Sequence, residues 1–166
     1  MTTLTLKKTT LKTAQRGSLV RFDMNGHSSF AFIVEKGVRA AKVIILGLNE
    51  ELFVYGEIER DEDVFDLGND WFFEPSSISS PFVDGATASV EPGLLTFNED
   101  GEPLLSVNDT RRHGDVVYWN LKSQTVGSSP SIVPLATGNW KLWASATERN
   151  SPNGQPLFTK ARNDRE

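Results

Sequence analysis

The chain has 166 residues, of which 38% are apolar and 23% charged, and it contains no cysteine. A chain of this length buries roughly 70% of the surface that its unfolded form exposes, so it belongs neither to the disulfide scaffolds nor to the zinc ribbons. Its 22 acidic side chains outnumber the 17 basic ones, which argues against the broad positive field of a non-specific nucleic-acid binder.

The first 22 residues are basic and rich in threonine, with no acidic side chain before Asp23. They contain no apolar block as long as that of a secretory signal, and no apolar run of the chain approaches the length of a membrane helix. The alternation of Thr and Leu over residues 3–6 predicts a first strand or a flexible arm, although an organelle transit peptide has a similar composition. We expect a basic arm over residues 1–17, no membrane span and a cytoplasmic location.

Short apolar segments separated by turn residues follow along the chain, and this rhythm predicts an all-β fold, an antiparallel barrel or sandwich. The predicted strands are 18–23, 28–35, 52–58, 70–74, 94–97, 104–107, 115–122 and 140–147. Residues 35–48 are ambiguous, because Val38, Ala41 and Ile45 have helical spacing. A strand is favoured there, since residues 42–48 are apolar on both faces, as in a covered central strand.

The serines and prolines of residues 75–81 predict a linker. Before it, residues 18–74 have the length and strand count of a small SH3-like barrel, a likeness of size and rhythm that carries no function. After it, residues 82–160 form a second β unit, either separate or part of one compact domain with the first. Residues 161–166 offer nothing to bury and are predicted to be a disordered tail.

Residues 50–74 form an acidic segment, with ten carboxylates against the single Arg60. Asp61, Asp63, Asp66 and Asp70 are possible calcium ligands, but their spacing does not follow the EF-hand rhythm. We expect a hydrated acidic loop that pairs with a basic partner or with the basic arm of the same chain.

A polar cluster at residues 109–115 contains the strongest catalytic candidates. Arg111 and Arg112 could grip a phosphate or carboxylate, while His113 could act as acid or base beside Asp109 or Asp115. The alternative is a solvated turn in which the aspartates cap backbone amides and pair with the arginines. The absence of cysteine excludes a thiol nucleophile, and we predict neither a metal site nor a cofactor.

Alternation along the predicted strands sorts the apolar residues by face. The predicted core is Val20, Phe22, Val43, Ile45, Leu52, Val54, Trp71, Phe73, Leu95, Phe97, Val117, Trp119, Trp140 and Leu142. Five aromatic residues fall on outward faces, namely Phe53, Tyr55, Phe72, Tyr118 and Trp143.

An exposed aromatic surface is typical of a binding site for a protein or a carbohydrate. We therefore predict a non-catalytic interaction module that binds a protein partner, most simply a second copy of the chain. A carbohydrate is a second expected ligand class, whereas the acidic flanks argue against nucleic acid. The alternative is a small carbohydrate-active or hydrolytic protein that uses His113 and carboxylates.

Overall fold

The computed structural model describes residues 6–47, 52–76, 91–128 and 135–161. These residues form fourteen strands, one 3₁₀ turn (Thr110–Arg112) and one short helix, α1 (Ala146–Arg149). The strands are β1 (Lys7–Thr10), β2 (Leu19–Met24), β3 (His27–Lys36), β4 (Ala40–Gly47), β5 (Leu52–Glu59), β6 (Asp63–Asp66), β7 (Phe72–Pro75), β8 (Leu95–Phe97), β9 (Pro103–Asp109), β10 (Asp115–Asn120), β11 (Thr125–Gly127), β12 (Leu135–Thr137), β13 (Trp140–Trp143) and β14 (Phe158–Lys160). The all-β prediction is confirmed.

The strands form two sheets. The larger has the order β1-β6-β2-β3-β4-β5-β9-β10-β11, with β8 beside β9 and β12 beside β8. Its neighbours are antiparallel except β5 and β9, which pair in parallel. The smaller sheet has the order β14-β13-β7. Strands from both sides of the predicted linker therefore lie in one continuous sheet.

The N-terminal part of the large sheet is strongly curled. In the row β6-β2-β3-β4-β5, the two end strands are separated by four strand spacings, about 19 Å in a flat sheet. Only four residue steps join Glu59 at the end of β5 to Asp63 at the start of β6, and they span at most about 14 Å. The row must therefore bend round until its ends approach each other. Within the described residues β5 and β6 form no ladder, so the barrel is not closed.

Both faces of this curled sheet are covered. The inner cluster consists of Leu11, Ala14, Val20, Phe22, Ala31, Ile33, Ala41, Val43, Ile45, Val54 and Val64. The outer cluster joins Leu19, Phe30, Phe32, Val34, Ile44, Leu46, Phe53 and Tyr55 to residues of the second half, including Trp119, Trp140, Leu142 and Phe158. This double coverage explains the apolar run at 40–47, where the predicted strand is confirmed as β4.

The basic N-terminal residues pair with the acidic segment of the same chain. Strand β1 is antiparallel to β6, and Lys8 Nζ lies 3.1 Å from the Asp63 carboxylate. Leu11 and Ala14 are buried in the inner cluster. The prediction of a hydrated loop is wrong at Asp63–Asp66, because Val64 is buried there while its neighbours face solvent. The exposed ion pair itself contributes little, about 0–1 kcal/mol.

The prediction of a strand over 140–147 is correct only as far as Trp143, because α1 begins at Ala146. Ser145 caps the helix, and its hydroxyl accepts a hydrogen bond from the Glu148 amide at 3.1 Å. Ser145 and Glu148 have the capping-box spacing that marks the start of a helix, which explains why the strand does not continue to residue 147.

The predicted strands 94–97 and 104–107 are confirmed as β8 and β9, which pair with each other as an antiparallel hairpin. Of the predicted linker, residues 77–81 lie outside the described part of the chain, as do residues 162–166 of the predicted tail. No helix among the described residues is long and apolar enough to cross a membrane.

Candidate functional site

The prediction of an outward aromatic surface is wrong for four of its five members. Phe53, Tyr55, Tyr118 and Trp143 are buried, with exposures of 2%, 6%, 4% and 7%. Alternation correctly separates the two faces of β5, but the face that carries Phe53 and Tyr55 is covered by the second half of the chain. The Phe53 ring centroid lies 5.9 Å from that of Trp140. Phe72 alone of the five is half-buried.

The burial of Trp143 has a separate cause. This residue lies at the end of β13, opposite Phe72 of β7. Its indole Nε1 donates a hydrogen bond of 2.8 Å to Glu74 Oε2, and Arg149 of α1 holds the other oxygen of the same carboxylate. The Arg149 hydrogen bond is the main reason that the pKa of Glu74 is lowered, followed by that of Trp143. The polar end of Trp143 is thus satisfied within the chain.

Half-buried aromatic side chains instead meet in a groove of about 370 Å³. We call it the aromatic groove, and its lining consists of Trp71, Phe72, Phe73, Phe97, Pro75, Leu95, Pro103, Leu121, Asn69, Lys122 and Gln124. One wall is β7 with the residues before it. The other wall is made of β8, the start of β9 and the turn after β10. The groove is therefore predominantly apolar and lies between the two sheets.

The core holds the aromatic walls in place. The Trp71 ring centroid lies 4.5 Å from that of Phe32 and 5.6 Å from that of Trp119, and its Nε1 donates to the Gly17 carbonyl at 2.8 Å. The Phe73 centroid lies 4.8 Å from that of Trp140. Ring pairs of this kind add about 0.5–1.5 kcal/mol each beyond their buried area. The groove is consequently a pre-formed surface.

The predicted core residues Trp71, Phe73, Phe97 and Leu52 are only partly buried, and the first three line the groove. The sequence does contain one signal of this site. Three consecutive aromatic residues in a strand place rings on both of its faces, so a buried face alone cannot accommodate Trp71, Phe72 and Phe73. The opposite wall has no such signal, because its residues are scattered between positions 95 and 124 and form no continuous sequence pattern.

The charged group at the rim of the groove is already paired. Lys122 Nζ lies 3.0 Å from Glu102 Oε1, and Asn120 Nδ2 donates to Glu102 Oε2 at 2.9 Å. The Asn120 and Lys122 hydrogen bonds lower the pKa of Glu102, in that order of importance. The rim therefore keeps its charges neutralised, and the apolar lining is the main surface offered to a ligand.

A second cleft, of about 510 Å³, brings together five predicted site residues, namely Tyr55, Asp109, Arg111, Arg112 and Asp115. Asp109 is 2% exposed, and Arg111 grips it with two hydrogen bonds, Nε to Oδ1 and Nη2 to Oδ2, each 3.1 Å. The Arg111 guanidinium also lies over the Tyr55 ring, 4.4 Å from its centroid. This bidentate grip holds the pKa of Asp109 below its ordinary value, although burial opposes the shift.

Because its pKa is lowered, Asp109 is ionised at neutral pH, and both of its carboxylate oxygens accept hydrogen bonds from Arg111. Arg112 is more distant, with Nε 3.9 Å from Oδ2, and its side chain is 71% exposed. His113 is exposed, has a left-handed backbone (φ 54°) and does not line the cleft. Among the hydrogen bonds of the described residues, none joins His113 to Asp109 or Asp115. The predicted acid–base pair is therefore not assembled in this geometry.

No group of three or more histidine, aspartate or glutamate side chains in the described ranges is placed to hold a metal ion. No family model, curated protein or solved structure matches the chain. The aromatic groove and the polar cleft are consequently the features of the described residues that bear on function.

Proposed function

We propose that the protein is a non-catalytic interaction module whose aromatic groove receives apolar side chains of a protein partner. The observation that supports this most directly is the groove itself. Four half-buried aromatic residues, Trp71, Phe72, Phe73 and Phe97, line one cavity of about 370 Å³. Rigid aromatic anchors in a pocket are the residues that contribute most at protein interfaces.

The size of the groove indicates the strength of such a complex. Burying one side chain as large as Leu or Phe contributes about 1.5–3 kcal/mol, and a cavity of this volume accommodates one or two of them. Association costs offset a large part of that gain. We therefore expect a partner to bind weakly or transiently through the groove alone.

The second candidate is a carbohydrate-active protein. Trp71 offers a ring for sugar stacking, and Asn69 and Gln124 supply polar groups at the groove. Hydrolysis through His113 has less support, because Asp109 is committed to Arg111. A glycan array tests carbohydrate binding. The variant His113→Ala tests the hydrolytic alternative, because an enzyme that uses His113 would lose turnover whereas a binding module has none to lose.

The protein-partner proposal is tested with two matched variants. Phe72→Ser alters a groove residue that makes no ring pair with the described aromatics, and Phe65→Ser makes the same change on β6, where Phe65 is 40% exposed. Wild type and both variants are immobilised, and proteins retained from a lysate of the source cells are quantified by mass spectrometry. We expect one set of proteins to be retained by wild type and Phe65→Ser and lost by Phe72→Ser. Equal retention by all three would refute the proposal.

A further inference from the structure

The aromatic groove runs along the edge of a strand. Trp71, Phe72, Phe73 and Pro75 all line it, although side chains of successive strand residues point to opposite faces. A cavity that lies on one face of β7 would contact every second residue only. Contact with both sets places the groove beside the edge of β7.

The register of β7 and β13 identifies the main-chain groups at that edge. Pro75 pairs with Trp140, Phe73 with Leu142 and Phe72 with Trp143. The Ser76 amide donates to the Asn139 carbonyl at 2.9 Å, so this pair exchanges hydrogen bonds. Antiparallel pairs alternate between bonded and non-bonded, which makes Pro75–Trp140 and Phe73–Leu142 non-bonded pairs.

The other edge of β13 agrees with this assignment. The Leu142 carbonyl accepts a hydrogen bond of 2.8 Å from the Leu157 amide, on the β14 side. The N–H and C=O of Phe73 therefore point away from β13, toward the open edge. Pro75 has the same orientation, and it lacks an N–H where the ladder with β13 needs none. No described strand pairs with this edge of β7.

We propose that an extended segment of a partner protein adds as a strand beside β7, and this inference rests on the proposed function. The segment exchanges main-chain hydrogen bonds with Phe73 and directs every second side chain into the aromatic groove. Strand addition of this kind combines affinity from the backbone with selectivity from side-chain pockets. A segment of four or five residues matches the length of β7, about 13 Å.

A second folded copy of the chain fits this surface poorly. The four aromatic residues would bury about 150–250 Å² each if fully covered, and all four are already partly buried, so together they expose less than roughly 400 Å². A stable interface needs about 800 Å² from each partner. The exposed area therefore suits a short linear segment better than the face of a dimer.

The test uses random nonapeptides displayed on phage and panned against the wild type, and binding of the enriched peptides to Phe72→Ser is then measured. Enriched peptides are synthesised with a single N-methyl group at each position in turn, because N-methylation removes one N–H donor. We expect affinity to fall at least about tenfold, or 1.4 kcal/mol, at alternate positions only. Hydrogen exchange of the Phe73 amide should slow on binding by a similar factor, and Phe65→Ser should bind as the wild type does.

The outcomes separate this inference from the proposed function. Peptides that bind the wild type but tolerate N-methylation at every position, with an unprotected Phe73 amide, would overturn strand addition and leave the groove as a binding site. Enriched peptides that bind Phe72→Ser equally well, or no enrichment at all, would overturn both.

Discussion

The indole nitrogens of two buried tryptophans give a prediction about stability. Trp119 and Trp140 are exposed by 1% and 0%. Trp140 Nε1 donates a hydrogen bond of 2.9 Å to the Gly93 carbonyl, whereas Trp119 Nε1 has no acceptor among the described residues. Replacement by Phe removes a similar volume at both positions but removes a hydrogen bond at only one.

The expected difference follows from these contacts. The smaller ring buries about 50 Å² less, which costs about 1.2 kcal/mol at 25 cal/mol per Å². Trp140→Phe also leaves the Gly93 carbonyl without a donor, at about 1–3 kcal/mol, for a total of about 2–4 kcal/mol. Trp119→Phe removes a donor that is already unsatisfied, which offsets the loss of area. We expect Trp119→Phe to change the free energy of unfolding by less than about 1 kcal/mol, or to stabilise the protein.

Urea unfolding followed by far-UV circular dichroism measures both values, since the fluorescence signal changes with the tryptophan content. The two variants should have the same m-value as the wild type, so that midpoints compare directly. As a control, Trp119→Ala and Trp140→Ala should both cost about 3–5 kcal/mol through the cavity left behind. If Trp119→Phe destabilised the protein as much as Trp140→Phe, the hydrogen-bond argument would be wrong.

Three further substitutions probe individual contacts. Gly93→Ala should destabilise the protein far more than Gly101→Ala in thermal melts. Both glycines have positive φ (85° and 74°), but only a Cβ at Gly93 would collide with the Phe53 ring. Equal costs of about 1–2 kcal/mol, the strain of the positive φ alone, would contradict the collision. Ser106→Ala should cost about 1–3 kcal/mol in urea unfolding, since its hydroxyl donates to the Glu91 carbonyl at 2.6 Å and accepts from the Leu94 amide at 2.9 Å. The pKa of Asp109 is lowered in the folded state, so its stabilisation is present above the unfolded pKa of about 4 and is lost as pH falls below it. Asp109→Asn should therefore lower stability at pH 7 and flatten its decline in acid, and an unchanged pH profile would argue against the Arg111 grip.

Alternation and turn residues, which depend on local sequence, were sufficient to predict nine of the fourteen described strands. The short strands β1, β6, β11, β12 and β14 were not predicted. Residues 27–36, 40–47 and 52–59 are strands near their predicted positions. Alternation shows which residues share a face, but it does not show whether a second layer covers the other face. For that reason Phe53 and Tyr55 were assigned to solvent, although they belong to the outer cluster.

The candidate site was harder to predict, because its two walls are distant in sequence. Residues 71–75 and 95–124 meet only after β7 has paired with β13 and β8 with β9. Local pattern placed Trp71, Phe73 and Phe97 in the core, and their partial exposure depends on how the two sheets leave a gap. By contrast, the pairing of Asp109 with Arg111 was foreseeable, since the two residues are close in sequence and the turn brings their side chains together.

The sheet that is covered on both faces has a consequence for biosynthesis. The inner cluster is complete once residues 11–64 have left the ribosome, so the N-terminal half can begin to fold while translation continues. Its outer face, with Phe30, Phe32, Ile44 and Leu46, stays uncovered until residues up to Phe158 have been made. A chain truncated just after β7 would therefore expose a broad apolar sheet, which is a typical target of chaperones and a source of aggregation.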